Sequence, residues 1–311
     1  MAIKKITIVG AGRVGEATAQ FLAKNELCQE LVLLDVQEGV AQGAALDIQQ
    51  SAPLFDFDIR VTGSTNYELI ADSDLVVVTA GKPRKPGMSR SDVLGSNLPI
   101  ITDIMNKVMR FAPQSLVMIV TNPVDVLTYH AWRHCGWNRA RVFGQAGVLD
   151  SARMASFIAE ETDLSVKDIS AMVLGGHGDT MLPLVRYTTI SGIPLTHFLD
   201  QSVIEKIIER TRHGGFEILR LRQTSSAYDA PAAAIASMVD AISHNRNRVL
   251  PCVAILHGEY GESEVAMGVP SVLGEDGLVR IVELPLTEEE QAQFTRSADT
   301  IRTDLAHLAG A

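Results

Sequence analysis

Ile3-Lys4-Lys5-Ile6-Thr7-Ile8-Val9-Gly10-Ala11-Gly12-Arg13-Val14-Gly15 is the stretch that decides the architecture. Residues 3–9 alternate toward a buried strand, and from 13 to 23 apolar residues recur at helical spacing. Between them stand Gly10, Gly12 and Gly15, the G-x-G-x-x-G pattern in the strand–turn–helix setting that gives it meaning. The first glycine makes the turn, the second admits the backbone to a pyrophosphate, and the third brings helix and strand close. The helix N-terminus then faces the anion.

The pattern alone is weak, and an ordinary tight turn is its plain alternative. A second strand, 31–34, ends in Asp35, and 35 − 15 places that carboxylate 20 residues past the last glycine. There it can accept hydrogen bonds from ribose 2′- and 3′-hydroxyls and would repel a 2′-phosphate, which selects NAD over NADP. Further strands are expected at 59–62, 75–79, 116–120 and 141–143. Helices are expected at 40–50, 91–110 and 124–135, with a short one near 67–70. Strands separated by crossovers imply a Rossmann-type, doubly wound parallel sheet in an α/β domain. Ligands on such sheets sit at the carboxyl ends of strands.

Two of those ends are informative. Thr121-Asn122-Pro123 follows one strand, and Asn122 there can bond a cofactor ribose or a substrate oxygen, or can simply form the turn before proline. After Thr79 comes Ala80-Gly81-Lys82-Pro83-Arg84-Lys85-Pro86-Gly87-Met88-Ser89-Arg90, with four cations in nine residues. A solvated basic loop is the ordinary reading of a charge run. Its position at the ligand end of the sheet favours another: Arg pairs with carboxylates through a planar fork, so Arg84 and Arg90 point to an anionic substrate under a lid.

The texture changes after Gly144-Gln145-Ala146-Gly147, which divides the chain into residues 1–145 for the dinucleotide and 146–311 for a mixed α+β substrate and catalytic domain. Leu149-Asp150-Ser151-Ala152-Arg153 opens a helix in which Asp150 and Arg153 share a face, as a local ion pair or as two functional groups. The apolar run 169–174 reads as a strand that ends at Gly175-Gly176-His177-Gly178-Asp179. Flanking glycines leave the imidazole approachable, and histidine exchanges a proton near neutrality. Beyond it, 181–190 reads as strand, 192–194 as turn, 203–221 and 230–244 as helices. Strand and turn follow at 249–257 and 268–274, then a terminal helix over 287–308 with a capping box from Thr287 to Glu290.

Composition narrows the classes. In 311 residues, 46% hydrophobic content indicates a globular chain, and no apolar run reaches the ~20 residues that span a bilayer. The formal net charge of −10 argues against nucleic-acid or anionic-membrane partners. Three scattered cysteines lack disulfide or metal spacing, and the first residues run directly into a strand with no signal-peptide pattern, so the cytoplasm is expected and no metal.

Together, Gly10 to Gly15, Asp35, the loop 84–90, Thr121-Asn122-Pro123-Val124-Asp125, Leu149 to Arg153 and Gly175 to Asp179 resemble the lactate/malate dehydrogenase family over essentially the whole chain. Within it they are most similar to the prokaryotic malate dehydrogenases that stand near lactate dehydrogenase. The resemblance implies reversible oxidation of malate to oxaloacetate with NAD, as in the citric acid cycle. It assigns His177 as proton acceptor and Asp150 as its partner. Arg84, Arg90, Asn122 and Arg153 would hold substrate. Gly10, Ala11, Gly12, Arg13, Val14, Gly15, Asp35, Asn97, Val120 and Asn122 would line the cofactor. It also implies a homo-oligomer, dimer or tetramer, for which small residues at 232–236 offer a packing face. One departure stands out: Ser225-Ser226-Ala227-Tyr228-Asp229 replaces an expected Gly-Ser-Ala-Tyr-Tyr, which puts a carboxylate near the substrate wall.

Overall fold

The computed structural model describes residues 3–83, 90–223 and 225–309. Its first half alternates strand and helix: β1 (Lys5–Val9), α1 (Arg13–Lys24), β2 (Glu30–Leu34), α2 (Val40–Gln50), α3 (Ala52–Phe55), β3 (Arg60–Ser64), β4 (Leu75–Val78), α4 (Arg90–Phe111), β5 (Leu116–Ile119), α5 (Val124–Cys135) and β6 (Val142–Gly144). β3-β2-β1-β4-β5-β6 lie side by side and parallel. Leu75–Val78 and Leu116–Ile119 are buried at every position, as continuous apolar strands covered on both faces must be. The chain winds outward in opposite directions from β1 and β4, and the crevice at their carboxyl ends is the switch point where such sheets bind ligands.

The second half contributes α6 (Gly147–Thr162), β7 (Ile169–Ser170), β8 (Val173–Gly175), β9 (Met181–Pro183), β10 (Thr189–Ile190), β11 (Ile193–Pro194), α7 (Gln201–Arg222), α8 (Asp229–Ser243), β12 (Arg248–His257), β13 (Ser263–Gly274), β14 (Gly277–Ile281) and α9 (Glu288–Ala309). The sheet continues past β6 into β12, β13, β8 and β9, now antiparallel, with β14 paired to β13. A small second sheet orders β11-β10-β7. One apolar core runs from Ile6 under the parallel strands to Phe294 and Ile301 on α9. A satellite core of Met154, Ile158, Val173 and Ile204 lies beneath α6 and α7.

Four expectations are corrected here. The run 169–174 is not one strand: Ile169–Ser170 joins the small sheet and Val173–Gly175 the large one, with half-buried Ala171 and Met172 crossing between them. Pairing, which periodicity does not encode, breaks the run. The segment 181–190 is likewise interrupted by a 3-10 turn, Val185–Tyr187, and 193–194 forms a short strand rather than a turn. The small residues of α8 serve this chain's own core, since Ala232, Ala234 and Ala236 are buried inside it and Ser243 donates to Leu27 O at 2.7 Å. The capping box stands as read, with Thr287 N donating to Glu290 Oε2 at 2.8 Å and Glu290 N to Thr287 Oγ1 at 3.2 Å.

Candidate active site

Each glycine of the first turn has its own reason. Gly10 has φ +110°, and a Cβ there would lie 2.5 Å from Ala80 N, so β1 and the loop after β4 touch through backbone alone. A Cβ on Gly15 would lie 1.8 Å from Gly10 O, inside the strand–helix contact. Gly12 is the opposite case: a Cβ would meet nothing within 4 Å, and no side chain caps α1. That open face at a helix N-terminus fits a pyrophosphate. Ala11 N donates to Asp35 Oδ2 at 2.9 Å and Gln37 N to Asp35 Oδ1 at 3.0 Å, which fixes the carboxylate and leaves lone pairs on both oxygens. Val14 packs against the core, while exposed Arg13 lies over the Tyr228 ring at 5.5 Å.

The loops after β4 and β5 are tied together. Thr121 Oγ1 donates to Ala80 O at 2.7 Å. Buried Asn97 accepts from Lys82 N at 2.7 Å and donates to Asn122 O at 2.8 Å. The Asn97 amide thus braces the two loops through their backbones. Half-buried Val120 holds its loop to β4 through Val120 N and Val78 O at 2.9 Å, and Asn122 is exposed at the tip. Arg84 lies outside the described residues, as does the side chain of Arg90, whose backbone opens α4.

Across the crevice, His177 Nδ1 and Asp150 Oδ2 are 2.9 Å apart, and Arg153 Nη1 donates to Asp150 Oδ1 at 3.4 Å. One carboxylate, 2% exposed, therefore serves both side chains. Arg153 runs along α7 where Gly214 and Gly215 leave room for it, at 3.3 and 3.5 Å from the nearest Cβ positions. Its Nε–H is buried with no partner among the described residues, a donor suited to a carboxylate from outside. The His177 turn is held by backbone: Gly176 N donates to Ser297 Oγ at 2.8 Å and His177 N to Asp125 Oδ2 at 2.9 Å. Gly268, whose Cβ would fall 2.7 Å from Gly175 O, lets β13 close on this turn. The departure at Asp229 is absorbed locally, since its carboxylate pairs with Arg222 at 3.2 Å.

Residues 4–144 match the lactate/malate dehydrogenase NAD binding domain, and residues 147–309 match the alpha/beta C-terminal domain of the same family. The chain belongs to the lactate/malate dehydrogenase family. A malate dehydrogenase of Nitrosococcus oceani is 91% identical over 311 residues, covering 100% of both chains. The solved malate dehydrogenase of Salinibacter ruber is 43% identical, with a TM-score of 0.94 over 98% of this chain and 97% of that one. A Cryptosporidium parvum lactate dehydrogenase, solved with lactic acid and nicotinamide adenine dinucleotide, is 36% identical with a TM-score of 0.96 over 99% of each chain.

In this family member the first half is thus an NAD-binding domain, and the turn, Asp35 and the open face at Gly12 suit that cofactor. Asp125, Ser297 and Thr121 hold the site in ways that reading the sequence did not assign. Asp125 sits inside a quoted motif, whereas Ser297 lies 121 residues from the backbone group it satisfies and carries no local signal. Among the described residues, no group of three or more His, Cys, Asp and Glu side chains is arranged to hold a metal.

Burial pushes the His177 imidazole toward its neutral form, but the charge and hydrogen bond of Asp150, with the charge of Asp125, outweigh it, and Arg153 opposes them. The net is a proton affinity above the ordinary ~6.5. Burial lowers that of Arg153, with Asp150 countering. A raised folded-state value means that the imidazolium–Asp150 pair stabilises the fold fully below the unfolded value of ~6.5 and fades as pH rises through the folded one. The stability lost in His177→Asn is therefore expected to be larger near pH 6 than near pH 9, read by urea denaturation; a pH-independent loss contradicts the pairing.

Proposed function

We propose that this chain is a NAD-dependent malate dehydrogenase that interconverts (S)-malate and oxaloacetate. The observation that carries the reading is the Asp150 carboxylate shared between His177 and Arg153. NAD, when bound, accepts the hydride that leaves the substrate's C2. His177 takes the hydroxyl proton as that carbon is oxidised, and Asp150 stabilises the imidazolium that results. In the reverse direction the same imidazolium donates, and a proton affinity raised by Asp150 favours that form. Arg153 clamps the carboxylate beside C2 through its fork, with its unpartnered Nε–H among the donors. Asn122 orients the substrate from the other wall, Arg90 polarises the carbonyl, and Arg84 meets the distal carboxylate.

On the cofactor side, Gly10, Ala11, Gly12, Arg13, Val14 and Gly15 cradle the pyrophosphate and Asp35 the ribose, with Val120 and Asn122 beyond them. Asn97 acts by holding their loop. Residues 1–145 bind the dinucleotide and 146–311 the substrate. The reading places the reaction in the citric acid cycle and in the cytoplasm, where the three unpaired thiols of Cys28, Cys135 and Cys252 suit a reducing compartment.

The protein is a homo-oligomer, dimer or tetramer, in this reading. Its support is the resemblance to the family rather than the α8 alanines, of which Ala232, Ala234 and Ala236 are buried in the chain's own core. Light scattering at micromolar concentration is expected to give a multiple of 33.6 kDa, and a particle of that mass ends the assignment.

His177→Asn keeps size but loses the titrating nitrogen, so turnover should fall by ~10²–10⁴ while NADH binding persists. Near-native turnover would remove His177 from the chemistry.

The substrate is decided by charge. Oxaloacetate carries a second carboxylate where pyruvate has a methyl group, and an unpaired buried charge costs roughly 3–5 kcal/mol. Wild type should prefer oxaloacetate over pyruvate by roughly two to three and a half orders of magnitude in kcat/KM. Arg84→Gln should lose most oxaloacetate activity and gain on pyruvate while Arg153 holds the shared carboxylate. A wild type that prefers pyruvate is a lactate dehydrogenase, the reading that likeness to the Cryptosporidium enzyme keeps in view.

A further inference from the structure

Asp125 is one of two buried carboxylates that meet the His177 segment, and the mechanism above leaves it without a role. It lies in the first turn of α5, three residues after Asn122, and is 1% exposed. Its Oδ2 accepts the His177 N–H at 2.9 Å across 52 residues of sequence. The adjacent amide, Gly176 N, is satisfied at 2.8 Å by the neutral hydroxyl of Ser297. Adjacent amides of the turn thus end on a neutral acceptor and on a charged one.

We propose that Asp125 is a positioning residue for the acid–base group: its buried carboxylate fastens the His177 turn to the loop that carries Asn122 and sets a second negative charge beside the imidazole. Among the described residues, the charged groups that face the imidazole are Asp150 and Arg153 from α6 and Asp125 from α5. α9 presents the uncharged Ser297 to the turn, and Asp179 in the same turn is exposed. Arg153 opposes proton uptake, and Asp125 adds to Asp150 in favouring it. The backbone bond does separate work, because misplacing a reacting group by about 1 Å can cost 10²-fold in rate. The inference rests on His177 being the acid–base group, and its test is arranged so that the two can fail apart.

The test is an NMR titration of the His177 imidazole in the NADH-saturated protein, assigned by the resonance missing from His177→Asn, beside the pH profile of kcat/KM for oxaloacetate. Asp125→Asn can still accept the N–H but is neutral. Its imidazole should titrate about 0.5–1 unit lower, and the high-pH limb of the profile should move with it. Asp125→Glu keeps the charge and displaces the carboxylate, so titration near wild type with kcat reduced about tenfold is expected. An Asp125→Asn imidazole that titrates with wild type overturns the inference, whatever its activity or stability, and so does a titration equally lowered in Asp125→Glu. A wild type that does not reduce oxaloacetate sinks the proposed reaction alone, since the NMR comparison needs no substrate.

Discussion

Asp150 is a buried carboxylate with two cationic neighbours, and the arrangement of the second half follows from satisfying it. An ionised carboxylate that is 2% exposed is costly unless paired, and both of its oxygens are engaged, one by His177 and one by Arg153. Helix geometry supplies Arg153 at no topological cost, three residues along the same face. His177 must come from another strand altogether, and the continuation of the sheet through β12 and β13 to β8 brings it there. Gly268 then lets the β13 backbone close on Gly175 O to a distance that a side chain would forbid.

Most of the parallel half was legible, because strands such as Leu75–Val78 and Leu116–Ile119 are continuous apolar runs between turn signals and the longer helices have an apolar stripe, although the four-residue α3 was not read. Local pattern and tertiary role coincide. They part company in the second half, where 169–174 is divided between two sheets and 181–190 is broken by a 3-10 turn. Neither event leaves a mark in hydrophobic periodicity, since both depend on which distant strand supplies a partner. The alanines of α8 misled for a related reason: small residues permit close packing without saying against what, and here the neighbour is the chain's own core.

Among the candidate site residues, those with a chemical signature of their own were singled out by the sequence: glycines at turn spacing, an Asp at a strand end, a His between glycines. The residues that hold them were not. Asn97 was read as a cofactor contact, and in the structure its amide joins the backbones of Lys82 and Asn122. Ser297 is a serine in the middle of a helix, unremarkable until the fold sets it against Gly176 N at 2.8 Å. Support of this kind is a property of three-dimensional neighbours rather than of sequence neighbours.

The Ser297 contact also bears on how far the two halves could be separated. The residues proposed to shape the dinucleotide crevice, from Gly10 to Asn122, lie in the parallel half, whereas the His177 turn is fastened to a hydroxyl on α9 across 121 residues. A chain cut ahead of α9 would keep every group of the parallel half while the turn lost one of its fastenings. In the proposed reaction, gripping a dinucleotide and moving a proton are therefore separable properties of one polypeptide.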